Sequence, residues 1–208
     1  MNIVAHNQYN EKHEALHNKI IYDTYKHMAC LNHSTPIAIL TAGAPGSGKS
    51  YFLKRFAPYM LSDKIITVDT DAIRAKLPEY RGWNANMLHA ETKDIVKKAL
   101  SYISTPCKHD VLYDGTMNTP SNYFPLIGTL RTLGYKIYIV FVNVPKEYSK
   151  KRVMERYQHT GRYVPMEVID EFYAHSPHHF DEIKQKVDGW IMVNGVTGDI
   201  EERQGEPI

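Results

Sequence analysis

Between an apolar run and an amphipathic one, the chain places Gly43-Ala44-Pro45-Gly46-Ser47-Gly48-Lys49-Ser50. This is the pattern G-x-x-x-x-G-K-[ST], whose residue types all answer to one task. Glycines let the backbone curl so that successive N–H groups converge on phosphate oxygens. A lysine in the position of Lys49 reaches the β- and γ-phosphates, and a hydroxyl in the position of Ser50 ligates Mg²⁺. The flanks supply the required context. Pro36-Ile37-Ala38-Ile39-Leu40-Thr41 suits a buried parallel strand, and Tyr51 to Phe56 has apolar residues at helical spacing. Strand, glycine loop and helix in that order predict a phosphate-binding turn with the helix dipole behind it.

The rest of the chain must build the sheet to which that turn belongs. Its 208 residues suffice for one α/β domain with a small lid. A net charge of +2 excludes a large basic field for nucleic acid or membrane, though not a local anion site. The two cysteines, Cys30 and Cys107, have no metal spacing and read as reduced thiols of a cytoplasmic protein. Residues 1–14 are polar, unlike a secretion signal, and no stretch approaches membrane-spanning length.

Hydrophobic periodicity orders the elements. Residues 10–31 read as an amphipathic leading helix. Strands are expected at 37–41, 64–68, 111–113, 136–142 and 190–193. Helical patterns fall at 85–104, 121–133, 145–157 and 166–186, the last interrupted at Pro177. This alternation predicts a three-layer fold: a five-stranded parallel sheet with helices on both faces and a helical lid region over 152–180. Ligands of such sheets collect beyond the carboxyl ends of the strands.

Polar residues sit at those ends. Asp69 and Asp71 close the second strand, and Arg74 follows three residues on, on the face of Asp71 if a helix begins near Thr70. Asp71 is placed to accept a proton from an attacking hydroxyl, and Arg74 to hold a polar or anionic part of the acceptor. Asp69 either caps that helix, enters the Mg²⁺ shell or acts directly in catalysis. Asp114 ends the third strand, where a carboxylate holds Mg²⁺ or its waters or touches the acceptor; Gly115 and Thr116 follow it. Glu91 faces either the acceptor pocket or solvent. Trp83 lies in a polar loop expected to border the acceptor site.

Residues 146–162 are locally basic. Arg152 and Arg156 share a helix face, and Gly161 precedes Arg162 at a break. A solvated helix explains such a run, but phosphoryl transfer also needs arginines over its equatorial oxygens. Residues 152–162 read as a lid, with Arg156 and Arg162 neutralising the transition state. His175, His178 and His179 meet metal-ligand spacing only loosely.

Together these residues resemble the zeta-toxin family of P-loop kinases. The resemblance runs from about Ile37 to His179. It rests on the glycine loop, Val68-Asp69-Thr70-Asp71, Asp114-Gly115-Thr116, the stretch from Arg152 to Tyr157, and Gly161-Arg162-Tyr163-Val164-Pro165. It implies that Lys49, Asp71, Asp114, Arg156 and Arg162 form the site. The implied activity is ATP-dependent phosphorylation of a UDP-activated amino sugar, in an enzyme held inactive by a small antitoxin-like protein. Two positions depart from the family: Asp114 stands where Glu is usual, and Asn118 near a position often basic. The chain is also similar to phage-type polynucleotide 5′-kinases through Asp71-Ala72-Ile73-Arg74, Asp114 and the lid.

The resulting expectation is a kinase using ATP and Mg²⁺. The loop residues 43–50 and Arg152 hold the nucleotide, and Ser50, Asp69 and Asp114 hold the metal. Arg74, Glu91, Asp114 and Thr116 meet the acceptor, which is a small molecule or a nucleic-acid 5′ end. A nucleotide-binding switch or ATPase is the alternative from another class, and Asp71 argues against it because a switch needs no base.

Overall fold

Alternate residues of the central strands point to opposite faces, and two separate apolar clusters form as a result. A computed structural model of the chain describes residues 11–28, 35–61, 64–85, 87–105, 107–118, 120–161 and 163–205. In it β1 (Ile37–Ala42) lies between β3 (Asp110–Asp114) and β4 (Lys136–Asn143). On one face Ala38, Leu40, Val111, Ile137, Ile139 and Phe141 pack against α1 (Glu11–Tyr25), α4 (His89–Ile103), α5 (Pro120–Thr132) and α7 (Met166–Lys184). On the other, Ile39, Leu112, Val140 and Val142 pack against Phe52 and Leu53 of α2 (Lys49–Phe56) and Met60 of a 3₁₀ turn. This is the three-layer arrangement that the alternation predicts.

With β2 (Ile65–Asp69), β5 (Gly189–Asn194) and β6 (Ile200–Gln204), the sheet order is β2-β3-β1-β4-β5-β6. The first five strands pair in parallel, and β6 runs antiparallel to β5. The sheet therefore has six strands rather than the expected five. β6 escapes a hydrophobicity-based reading because Ile-Glu-Glu-Arg-Gln is exposed along its length. Backbone pairing and two amides hold it: Glu201 accepts from Asn143 at 3.0 Å and from Asn194 at 3.1 Å.

The chain leaves β1 toward β2 on one side and later returns to β4 on the other. The crevice at that reversal lies directly above the glycine loop. Three further expectations change. Pro177 does not interrupt α7, because Phe172, Ser176 and Phe180 around it are buried and hold the helix in register. α7 is not lid material, since Ile169 and Ile183 are fully buried. α6 (Lys146–Thr160) precedes it in the chain. Cys107 is disulfide-bonded rather than a free thiol. No helix among the described residues is long and apolar enough to cross a membrane.

Candidate active site

The glycine loop is held from three sides, which fixes where its amides point. Gly43 N–H donates to the Thr116 carbonyl at 3.1 Å, tying the loop to the segment after β3. Ser149 of α6 donates to the Pro45 carbonyl at 2.8 Å, and Arg152 Nη1 donates to the Ser47 carbonyl at 3.1 Å. α6 approaches so closely that a Cβ on Gly46 would lie 2.5 Å from the Ser149 carbonyl oxygen. α2 starts at Lys49 after Gly48, with no side chain capping its first turn, so those N–H groups face the crevice. Lys49 Nζ donates to the Gly43 and Ala44 carbonyls at 2.9 and 3.2 Å, at the mouth of the loop. Ser50 is exposed beside it.

Opposite the loop, α3 (Thr70–Arg74) presents the acceptor-side pair. Asp69 is its N-cap: Oδ1 accepts from Asp71 N at 2.8 Å and from Ala72 N at 3.0 Å. One helical turn then brings Arg74 Nη1 to Asp71 Oδ1 at 2.6 Å. Arg74 is 9 % exposed and its Nε has no hydrogen-bond partner among the described residues. Leaving a buried guanidinium N–H unmade costs about 1–3 kcal/mol, so the position favours a ligand oxygen there.

The register pairs Asp69 with Asp114 across β2 and β3, which sets their carboxylates side by side at the edge of the sheet. Thr41 at the end of β1 donates to Asp114 Oδ1 at 2.7 Å and accepts from Gly115 N at 3.1 Å. Each aspartate thus engages one oxygen in structure and keeps Oδ2 for other use. Ser50, Asp69 and Asp114 are hard oxygen donors bordering one cleft and fit Mg²⁺.

The cleft has a volume of about 740 Å³. It runs from the loop over the strand ends and into a groove between α4 and α5, lined there by Val96, Leu100, Tyr113, Tyr123 and Leu126. Lys93 and Asn122 bond across its rim. Burial, helped by Asp114 and Asp71 and opposed by Arg74, pushes the Tyr113 phenol up to about 12. It stays a neutral hydrogen-bond donor at any working pH. Burial and the nearby Lys93 and Arg74 cations push His89 down, which favours the neutral imidazole.

The structure brings together the loop, Asp69, Asp71, Arg74, Asp114, Thr116, Arg152 and Arg156 around this cleft. Arg162 lies outside the described residues. Glu91 is not part of the cleft: it faces α1, where His13 and His17 hydrogen-bond its carboxylate. Helical spacing alone left two faces open for it, and α1 takes the one that carries Glu91. Trp83 is 79 % exposed and does not line the cleft. Thr41, His89 and Lys93 were not singled out from sequence. The signal for Thr41 is a lone hydroxyl closing an apolar strand; for the others, it is their four-residue spacing on the cleft face of α4.

A phosphate loop, strand-end carboxylates and a helix of arginines around one crevice are the parts of a P-loop kinase-type phosphotransferase. The model of the family described as Zeta toxin matches residues 22–206, and the chain belongs to that family. Comparison with curated proteins returns no significant match in sequence. Among solved structures, a chain from the PezAT chromosomal toxin-antitoxin system of Streptococcus pneumoniae superposes with a TM-score of 0.70. It is 16% identical, and the match covers 95% of this chain and 83% of that one. A chain of the Pnkp1/Rnl/Hen1 RNA repair complex matches at a TM-score of 0.59 and 20% identity, over 73% of this chain and 47% of that one. A chain of the AvrRxo1-ORF1:AvrRxo1-ORF2 complex matches at 0.61 and 12% identity, over 94% and 71%.

Proposed function

We propose that the protein transfers the γ-phosphate of ATP to a hydroxyl of a small molecule, a UDP-activated amino sugar as the family implies. The observation that carries this reading is the Asp71–Arg74 pair, fixed on α3 across the cleft from Lys49. A nucleotide switch or simple ATPase needs neither a second carboxylate there nor a groove continuing between α4 and α5.

In this reading the loop amides and Lys49 hold the β- and γ-phosphates, with Arg152 bracing the loop from outside. Asp71 takes the proton of the acceptor hydroxyl as the phosphorus–oxygen bond forms. Arg74 holds an acceptor oxygen through its buried Nε. Arg156, and Arg162 from the adjoining link, neutralise the charge spread over the transferred group. Bound by Ser50, Asp69 and Asp114, Mg²⁺ would neutralise the β- and γ-oxygens. Thr116 and the neutral Tyr113 phenol offer further hydrogen bonds to the acceptor. The reading also includes an inhibitory protein partner, in keeping with the toxin-antitoxin system of the pneumococcal relative.

Incubation with radiolabelled ATP, Mg²⁺ and a panel of UDP-amino sugars is expected to label a sugar nucleotide. A 5′-hydroxyl oligonucleotide belongs in the same panel, because the orphaned Arg74 Nε would also fit a phosphate next to a 5′ end. Label only in the oligonucleotide would replace the sugar acceptor by a polynucleotide. Label only in free phosphate would leave an ATPase.

A further inference from the structure

α1 carries His13 and His17 one helical turn apart, and both turn toward Glu91 in the first turn of α4. His13 Nδ1 lies 3.0 Å from Glu91 Oε1, and His17 Nε2 lies 2.7 Å from the same oxygen. The three ligand atoms lie within 4.8 Å of one another. His17 is fully buried, the Glu91 side chain is 11 % exposed, and that of His13 is 32 % exposed. We propose that His13, His17 and Glu91 form a binding site for a zinc-type divalent metal ion, which staples α1 to the first turn of α4. It is independent of the cleft and of the Mg²⁺ expected there.

The donor set selects the metal class. Two imidazole nitrogens and one carboxylate oxygen suit Zn²⁺ and its neighbours, whereas Mg²⁺ prefers an all-oxygen shell. The dimensions are close to what such an ion needs. Bonds of about 2.0–2.1 Å in a tetrahedron place neighbouring ligand atoms roughly 3.3 Å apart. The separations to Glu91 are 3.0 and 2.7 Å and all three ligand atoms lie within 4.8 Å, so side-chain rotations can bring the set to that value. The exposed edge of His13 leaves room for a water as fourth ligand.

Proton bookkeeping is consistent with this. In hydrogen-bonded form, each histidine shares with Glu91 the nitrogen that would bind metal. On binding, the ring proton resides on the other nitrogen, which then needs an acceptor. For His13 that nitrogen, Nε2, lies 4.0 Å from Glu79 Oε1. For His17 it is Nδ1, where Lys98 Nζ sits at 3.4 Å, itself held at 2.5 Å by Glu14. Metal binding at His17 with its proton on Nδ1 therefore requires Lys98, which is partly exposed, to give up that contact. Glu79 thus stands on the far side of the His13 ring, where a metal-bound histidine usually has a carboxylate.

The test uses the full chain stripped of metal and titrated with Zn²⁺ against a chromogenic chelator, with Co²⁺ absorption as a second readout. One equivalent of Zn²⁺ should leave the chelator, Co²⁺ should show the visible bands of a tetrahedral site, and the thermal midpoint should rise with Zn²⁺. His13→Ala, at the exposed end, should fold normally and bind at least about tenfold more weakly. Glu91→Gln should weaken binding likewise. His178→Ala and Lys49→Ala should bind as the parent does, placing the metal neither at the α7 histidines nor at the glycine loop. Two results overturn the proposal and leave a hydrogen-bonded seam instead. One is no transfer of Zn²⁺ from the chelator. The other is unchanged binding in both His13→Ala and Glu91→Gln.

Discussion

Asp71 and Arg74 lock each other through one hydrogen bond of 2.6 Å, and each is positioned for chemistry by the other. Both residues line the cleft, and the Arg74 Nε has no hydrogen-bond partner among the described residues. Asp71→Asn removes the proposed base but preserves shape. Phosphoryl transfer should fall by about 10²–10⁴-fold, while ATP affinity measured by equilibrium dialysis stays the same. Equal loss of both would mean that Asp71 supports the donor site instead. A second residue-scale constraint lies beneath the acceptor groove. A Cβ on Gly115 would come within 2.1 Å of the Tyr123 hydroxyl. That hydroxyl accepts from Met117 N–H at 2.9 Å, steadying a buried residue with φ of 57°. Gly115→Ala should therefore destabilise by about 1–3 kcal/mol in urea unfolding. Tyr123→Phe alone leaves the Met117 N–H unpaired and should cost a similar amount. In the double variant the 2.1 Å clash is gone and the 3.0 Å approach to Tyr113 remains, so its cost should fall below the sum of the two. Additive costs would place the strain elsewhere.

At the scale of elements, α3 shows what the sequence could and could not tell. A helix start near Thr70 was legible because Asp and a helical period coincide there, and Asp71 with Arg74 on one face followed from the spacing alone. Whether Asp69 caps or binds metal was not legible, because both roles use a carboxylate at the same point. The structure shows the cap, made through Oδ1. Substitution can separate the two roles. Asp69→Ser keeps a cap acceptor and loses the carboxylate, and Asp69→Ala loses both. The alanine variant should be less stable than the serine variant by about 1 kcal/mol. Both should need more Mg²⁺ for half-maximal transfer. If serine restores Mg²⁺ dependence along with stability, Asp69 acts only as a cap. α4 is the opposite case. Its existence was clear from periodicity, but which helix would cover which face depends on contacts distant in sequence. Glu91 was therefore placed toward the cleft when its partners are His13 and His17 of α1. β6 was missed for a related reason: an edge strand held by backbone pairing carries no apolar alternation.

For the whole molecule, strand order explains why the two halves of the site meet. β1 lies between β3 and β4, so the glycine loop, Asp114 and the foot of α6 rise from neighbouring strands. β2 adds Asp69 and Asp71 from the far side of β3. Five parallel strands and their helices were legible because buried β-branched runs alternate with helical periods. The strand order was not, since pairing of β1 with both β3 and β4 is a property of packing. One consequence belongs to this scale. A ligand that bridges the glycine loop, β3 and α6 should stabilise the entire fold, since those parts anchor both apolar clusters. At a hundredfold excess over its dissociation constant, a non-hydrolysable ATP analogue with Mg²⁺ should add about 2.7 kcal/mol. In a chain of this length each kcal/mol is worth about 2–4 °C, so the thermal midpoint should rise by roughly 5–11 °C. Lys49→Ala should abolish most of that shift, because it removes the ammonium at the mouth of the loop. Removing Mg²⁺ with a chelator should shrink the shift in the parent protein. A full shift in Lys49→Ala would move nucleotide binding away from the loop, and the assignment of donor and acceptor halves would fall with it.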